Sequence, residues 1–274
     1  MKRLYVTDLD GTLLDKSSHI SKDSADIINM LIKEGILFTY ATARSNNSSV
    51  LVTQGLDINL PIIIFNGAFI YDPIGSSFLH KVTFTDRQIK NLLSFTKKYS
   101  YTPLIYTFIN GEQKVLWNCN GSLSEGFYYY LSKRKNDTRM MPVNSVEESF
   151  CGEIFYITFI ENHNDLLPLY DDIKGDKDYN TVFQQELYRE EYWCEIMPQS
   201  ATKANAVKRL KEILGCEQLI VFGDSLNDVP MFEIADKAYA VKNANDRLKE
   251  LATEIIGYNY ENSVAKKILE LEGK

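Results

Sequence analysis

The sequence has no long apolar run. Stretches such as Pro61–Phe65 fall far short of the roughly 20 residues a membrane-spanning helix needs, so no membrane partner is expected. The opening Met1–Asp8 run carries charge at both ends and is too short for the core of a secretory signal. Cysteine is scarce. Cys119, Cys151, Cys194 and Cys216 are widely spaced with no CxxC pair, which argues against a disulfide framework and a thiolate metal site. Such thiols read as buried hydrophobes in a protein of the reducing cytoplasm. Basic charge is in deficit, 30 Lys and Arg against 37 Asp and Glu for a net charge of −7, so no nucleic-acid partner is expected. An anionic small substrate stays open, because charge at a site can oppose the net sign. Repeats and low-complexity tracts are missing, and so is a GxGxxG turn after the first strand, which removes a dinucleotide site.

What is present is the composition of a folded chain, 45% hydrophobic and 24% charged over 274 residues, enough for one large or two modest domains. A β-friendly run at Leu4–Leu9 breaks at Gly11. Ser21 then caps a helix with Ile27, Ile28, Leu31 and Ile32 on one face and Gly35 as its stop. A strand at Ile36–Ala41, a polar turn through Arg44–Asn47, a short helix and an all-apolar strand at Pro61–Phe65 follow. A strand apolar along its whole length is buried on both faces, as in a parallel sheet. The rhythm resumes with a helix opened by Thr202 or Lys203 and ended by Gly215, and a strand at Leu219–Phe222. A helix near Pro230–Ile234, a strand at Ala238–Val241 and two more helices complete it. This is a doubly wound, mostly parallel, Rossmann-like α/β core.

Between the halves the pattern changes. Thr85–Gln88 forms a capping box for a helix through Tyr99, and strand-like runs follow at Leu104–Ile109, Ile154–Ile160 and Tyr192–Ile196. Residues 84–194 are therefore expected to be an inserted α+β cap, with 1–83 and 195–274 as one discontinuous core. The insert holds 11 of the 17 tyrosines, with Phe127-Tyr128-Tyr129-Tyr130 in one run. These suit polyol recognition, but a small domain also needs such bulk for its own core, and that reading is preferred.

Asp8 and Asp10 end the first strand. Neighbours two apart on a strand point to opposite faces, and Gly11 lets the chain turn so that both crowd the crevice at the strand's carboxyl end. Crowded carboxylates repel unless a cation neutralises them, and hard oxygen ligands favour magnesium or calcium. An EF-hand loop is excluded, since its sixth position would be Leu13 and its twelfth His19. Taken alone, Asp8-Leu9-Asp10-Gly11 also reads as an acidic surface turn. Gly223-Asp224-Ser225-Leu226-Asn227-Asp228 also follows a buried strand, so Asp224 and Asp228 should stand at the same sheet edge as Asp8. Two such clusters make a shared metal site the better reading. Thr42, after the second strand, offers a hydroxyl and backbone N–H groups to an anion. Lys203 begins a helix, where the dipole disfavours a cation unless carboxylates and an anion lie near.

Asp8-Leu9-Asp10-Gly11-Thr12, then Thr42, then Lys203, then Gly223-Asp224 through Asn227-Asp228 resemble the four ordered motifs of the haloacid dehalogenase superfamily. The large insert between the second and third resembles its Cof-type sugar-phosphatase subfamily. Ala43 and Ala204 depart from the pattern, where glycine is common. The resemblance implies a Mg2+-dependent phosphatase of small phosphate esters, sugar phosphates being the expected substrates. Asp8 would be the nucleophile that forms an aspartyl-phosphate, and Asp10 the general acid and base. Asp8, Asp224, the backbone carbonyl of Asp10 and, through ordered water, Asp228 would hold the metal. Thr42, Lys203 and Asn227 would bind phosphoryl oxygens, and the cap would exclude water and choose the leaving group. Arg44 could pair with a carboxylate or a phosphate, and Asn66-Gly67 reads either as a plain turn or as part of the site. The alternatives are a phosphotransferase or mutase on the same core, or a silent anion-binding regulatory module. An intact Asp8 and Asp10 pair argues against the last.

Overall fold

The computed structural model describes residues 2–185 and 189–274. Met1 of the opening run and residues 186–188 of the insert lie outside the described residues. The chain divides into two compact units, residues 1–81 with 201–274, and residues 82–200. The first unit opens with β1 (Arg3–Thr7), α1 (Lys22–Lys33), β2 (Leu37–Tyr40), α2 (Asn46–Val52), β3 (Ile62–Ile64), β4 (Phe69–Asp72) and β5 (Ser77–Lys81). The inserted unit begins with α3 (Asp86–Lys98), β6 (Leu104–Ile109), β7 (Glu112–Asn118), α4 (Glu125–Ser132), β8 (Met140–Val143) and α5 (Val146–Ser149). It continues with β9 (Glu153–Glu161), α6 (His163–Ile173), β10 (Tyr179–Gln185) and β11 (Tyr192–Pro198). The first unit resumes with α7 (Lys203–Leu214), β12 (Gln218–Gly223), α8 (Val229–Glu233), β13 (Lys237–Ala240), α9 (Asp246–Leu251), β14 (Glu254–Ile255) and α10 (Ser263–Leu271).

The core sheet runs β14-β13-β12-β1-β2, and every pairing in it is parallel. From Leu4 to Thr7 and from Leu219 to Gly223 every residue is buried, because helices cover both faces of such a sheet. The chain leaves β1 toward β2 on one side and returns through β12 on the other. That reversal puts a crevice at the carboxyl ends of β1 and β12, the usual ligand position in open α/β sheets. β3 adjoins β2 through a single parallel bridge, Ala41 to Ile63, but its other neighbour is antiparallel β4, which continues into β5. The buried Ile62–Ile64 run thus does not belong to an all-parallel sheet. The Asp72-Pro73 and Gly75-Ser76 turn signals mark the hairpin, whose last strand is half exposed and carries little apolar pattern.

The inserted unit is a mixed sheet ordered β10-β11-β9-β6-β7-β8, antiparallel except for β7 with β8. α3 and α6 supply Leu92, Leu166, Leu169 and Ile173 to a cluster with Ile105, Leu116, Ile157, Phe159 and Ile196 from the strands. β11 is one strand through Pro198, paired with β10 along its length, which keeps residues 195–200 with this unit rather than the core. In the aromatic run Phe127 and Tyr130 are buried while Tyr128 and Tyr129 are exposed, the spacing of a helix with one inward face. Cys194 is buried as expected of a hydrophobic thiol. Cys119 and Cys151 are exposed instead, because the ends of β7 and α5 carry them out of the packed layers; all four thiols are free. Among the described residues no helix is long and apolar enough to cross a membrane.

The capping box at Thr85 forms as the sequence suggests, with the Thr85 side chain accepting from the Gln88 N–H and the Gln88 side chain accepting from the Thr85 N–H. Thr85→Ala is expected to cost about 1 kcal/mol. The check is the denaturant midpoint of the transition that unfolds the inserted unit, and an unchanged midpoint refutes the assignment.

Candidate active site

Asp8 is the first residue beyond β1, and its N–H still donates to the Phe222 carbonyl of β12 at 3.0 Å. Asp224 follows β12 directly. The two carboxylates therefore rise from neighbouring parallel strands. Gly11 then turns the chain at φ +75°, and a Cβ there would come within 2.3 Å of Asp224 Oδ2, so only glycine allows the first loop to lie against the second. One carboxylate oxygen from each of Asp8, Asp224 and Asp228 lies within 4.8 Å of the others.

Lys203 stands between them. Its ammonium donates to Asp8 Oδ1 at 2.6 Å and to Asp228 Oδ1 at 2.7 Å, and only 2% of the residue is exposed. It is the first residue of α7, whose N-cap Thr202 accepts from the Asn205 N–H. The two carboxylates offset the unfavourable helix dipole at that position. Asp228 Oδ2 accepts from the N–H groups of Asp224 and Ser225 at 3.0 and 3.1 Å, so both of its oxygens are engaged. Asp224 Oδ1 accepts from the Thr12 hydroxyl at 3.0 Å. Thr12 and Asn243, whose Nδ2 donates to the Gly11 carbonyl at 2.7 Å, carry no role in the sequence reading. Thr12 lies inside the first motif and could have been found there; Asn243 sits in the loop after β13, with no local signal.

Burial pushes the Asp8 carboxyl up to about 7; Lys203 opposes the rise while Asp228 and Asp10 add to it. Asp224 is pushed well above the usual carboxylate range, first by burial and then by Asp8 and Asp228. Burial works against the Lys203 ammonium, but Asp228 and Asp8 outweigh it and raise its pKa. Two buried carboxylates, Asp8 and Asp228, share one ammonium, and the partly buried Asp224 lies beside them, a surplus of negative charge that a divalent cation would cancel. The donor set fits one, being all oxygen and close enough for ligand distances of about 2.0–2.6 Å.

The Asp10 carboxylate lies outside this group. Arg44 grips it with two bonds, Nε to Oδ2 at 2.7 Å and Nη2 to Oδ1 at 2.6 Å, and reaches Ser48 Oγ with Nη1. Of the two partners the sequence left open for Arg44, the structure shows the carboxylate. Thr42 is buried beyond β2, and its Oγ1 accepts from the Arg44 N–H at 3.1 Å. Asn227 Nδ2 donates to Asn66 Oδ1 at 3.1 Å. Ala43 and Ala204 are both outside the left-handed backbone region, so alanine fits where glycine is common.

A family model described as haloacid dehalogenase-like hydrolase matches residues 5–268. The chain belongs to that family. This hydrolase is 29% identical over 277 residues to the 5-amino-6-(5-phospho-D-ribitylamino)uracil phosphatase YwtE of Bacillus subtilis, covering 94% of each chain. Its fold matches a haloacid dehalogenase-like hydrolase from Bacteroides thetaiotaomicron with a TM-score of 0.81 at 22% identity, over 99% of this chain and 100% of that one. It also matches the HAD subclass IIB sugar phosphatase BT4131, with a TM-score of 0.73 at 18% identity over 99% of both chains.

Because carboxylates must be ionised to bind a metal, protons and cation compete at this cluster. With Asp8 pushed up to about 7, a millimolar divalent cation is expected to raise the thermal midpoint of the hydrolase by several degrees at pH 8 and far less at pH 5. Differential scanning fluorimetry checks this; an equal rise at both pH values contradicts the shared site.

Proposed function

We propose that this hydrolase is a Mg2+-dependent phosphatase that cleaves phosphate monoesters of polyol chains, such as sugar and ribityl phosphates, through an aspartyl-phosphate. The observation that carries the reading is the group of Asp8, Asp224 and Asp228 gathered at the ends of two adjacent parallel strands, with Asp8 and Asp228 buried against the Lys203 ammonium. The relative from Bacillus subtilis is a phosphoribityl-compound phosphatase by name, and one similar fold is a sugar phosphatase. A phosphate ester on a polyhydroxylated carbon chain is the chemistry the two share.

Asp8 attacks phosphorus with a carboxylate oxygen, forming an acyl–phosphate bond as the P–O bond to the alcohol breaks. Asp10 gives its proton to the departing alkoxide. It then takes a proton from the water that attacks phosphorus, which releases inorganic phosphate, frees Asp8 and leaves Asp10 protonated again. In the arrangement described both Asp10 oxygens accept from Arg44, so Asp10 takes on its proton and transfers it only once it leaves that pair. Lys203 binds a phosphoryl oxygen from the Asp8 side, and the Thr42 hydroxyl, accepting from the Arg44 N–H, still has its own proton to donate to another. The Asn227 amide supplies a further N–H. Asp8 and Asp224, with the Asp10 carbonyl, would hold the magnesium, and Asp228, both oxygens engaged, would order its water. Mg2+ characteristically takes one or two carboxylates plus phosphate and keeps several waters, which suits this set better than the many-ligand cage of calcium. When bound, it neutralises the charge shared by an anionic nucleophile and a dianionic substrate.

The test is phosphate release from a panel of sugar and polyol phosphates in plain buffer, with no alcohol acceptor present. Asp8→Asn is expected to lower turnover by about 10³-fold or more, and EDTA to suppress the wild type until magnesium is restored. Full turnover by Asp8→Asn rejects the covalent route, and release that requires an added acceptor replaces hydrolysis by phosphotransfer.

A further inference from the structure

Phe65, Asn66 and Gly67 form three consecutive left-handed residues, with φ of 50°, 51° and 95°. Two such residues with side chains in succession, one of them aromatic, persist only where their surroundings hold them. Here the restraints lead to the site. The Phe65 N–H donates to the Arg44 carbonyl at 3.0 Å and the Asn66 N–H to the Thr42 carbonyl at 2.9 Å. Gly67 lies so close to the start of α7 that a Cβ would stand 2.1 Å from the Thr202 carbonyl oxygen and 2.9 Å from the Lys203 nitrogen. Asn66 itself is 2% exposed, unlike the side chain of an ordinary surface turn. Its Oδ1 accepts from Asn227 Nδ2, while Asn227 Oδ1 accepts from Ser225 Oγ at 2.5 Å.

This turn therefore touches each of the three segments that the proposed function assigns to the phosphoryl oxygens. We infer that Asn66 is a positioning residue, which locks the Asn227 amide and the Thr42 turn in the arrangement that receives a phosphoryl group. The inference rests on that reading of Thr42, Lys203 and Asn227. Asparagine suits the position twice, since it tolerates the left-handed backbone and its amide oxygen supplies the second restraint on Asn227. With Oδ1 and one N–H of Asn227 taken, the direction of its other N–H is set before a substrate arrives. A glycine at 66 would satisfy the backbone and leave the Asn227 amide held at one end only.

The experiment is a double-mutant cycle on the full, magnesium-loaded chain with Asn66→Gly, Asn227→Ala and the pair combined. The probes are para-nitrophenyl phosphate as substrate and inorganic phosphate as inhibitor. Asn66→Gly is expected to raise KM and the phosphate inhibition constant about tenfold while kcat stays within about threefold, and the pair to bind no more weakly than Asn227→Ala alone. Losses that multiply in the pair, or wild-type constants in Asn66→Gly, overturn the inference. Asn66→Ala repeats the cycle in case glycine loosens the turn; a lowered thermal midpoint with unchanged KM in both variants marks a structural residue and also overturns it. Asp8→Asn, assayed alongside, separates the two levels. An active Asp8→Asn removes the proposed function itself, whereas an inactive one beside an unaffected Asn66→Gly removes the positioning role alone.

Discussion

Mutual repulsion among buried carboxylates is the constraint on which the rest of this molecule depends. Asp8, Asp224 and Asp228 are brought together in a region where burial already disfavours charge, and one ammonium, that of Lys203, is their close counter-ion among the described residues. A fold assembled for stability alone has no reason to keep such a cluster, because apolar residues of the same volume would do as well or better. The arrangement becomes sensible once further positive charge enters, and the chemistry of hydrolysis by this family enters with it.

The backbone around the cluster has been shaped to permit that crowding. Parallel pairing of β1 with β12 delivers two acidic residues to one sheet edge, and the left-handed turn at Gly11 lets the first loop rest against Asp224. Asp228 is held by two backbone N–H groups from its own loop, so it can anchor Lys203 without moving. Arg44 separates Asp10 from the other acids and holds it apart by a bidentate pair, which gives neighbouring carboxylates different environments and so different work.

Much of this was legible in the residues. The strand, turn and acid order at Asp8-Leu9-Asp10-Gly11 and at Gly223-Asp224 predicts which strand ends carry the chemistry, and the caps at Ser21 and Thr85 locate two helices from local hydrogen-bonding logic. The unread parts share a physical cause. β4 and β5, like β7, β8 and β10 in the inserted unit, are short or half exposed, and their register comes from neighbours distant in sequence. The partner of Arg44 was undecidable from sequence, since guanidinium geometry serves carboxylate and phosphate equally. Asn66-Gly67 reads as a common turn dipeptide, and its contacts with Thr42, Thr202 and Asn227 exist only after three remote segments have packed.

The most direct measurement is an anomalous difference map from crystals soaked in manganese, a hard divalent ion of similar ligand preference to magnesium. A single ion in direct contact with an oxygen of both Asp8 and Asp224 is the predicted result. An ion bound elsewhere, or a cluster that stays empty at saturating manganese with Asp8 and Asp224 still adjacent, contradicts the claim that these carboxylates were gathered to share a metal.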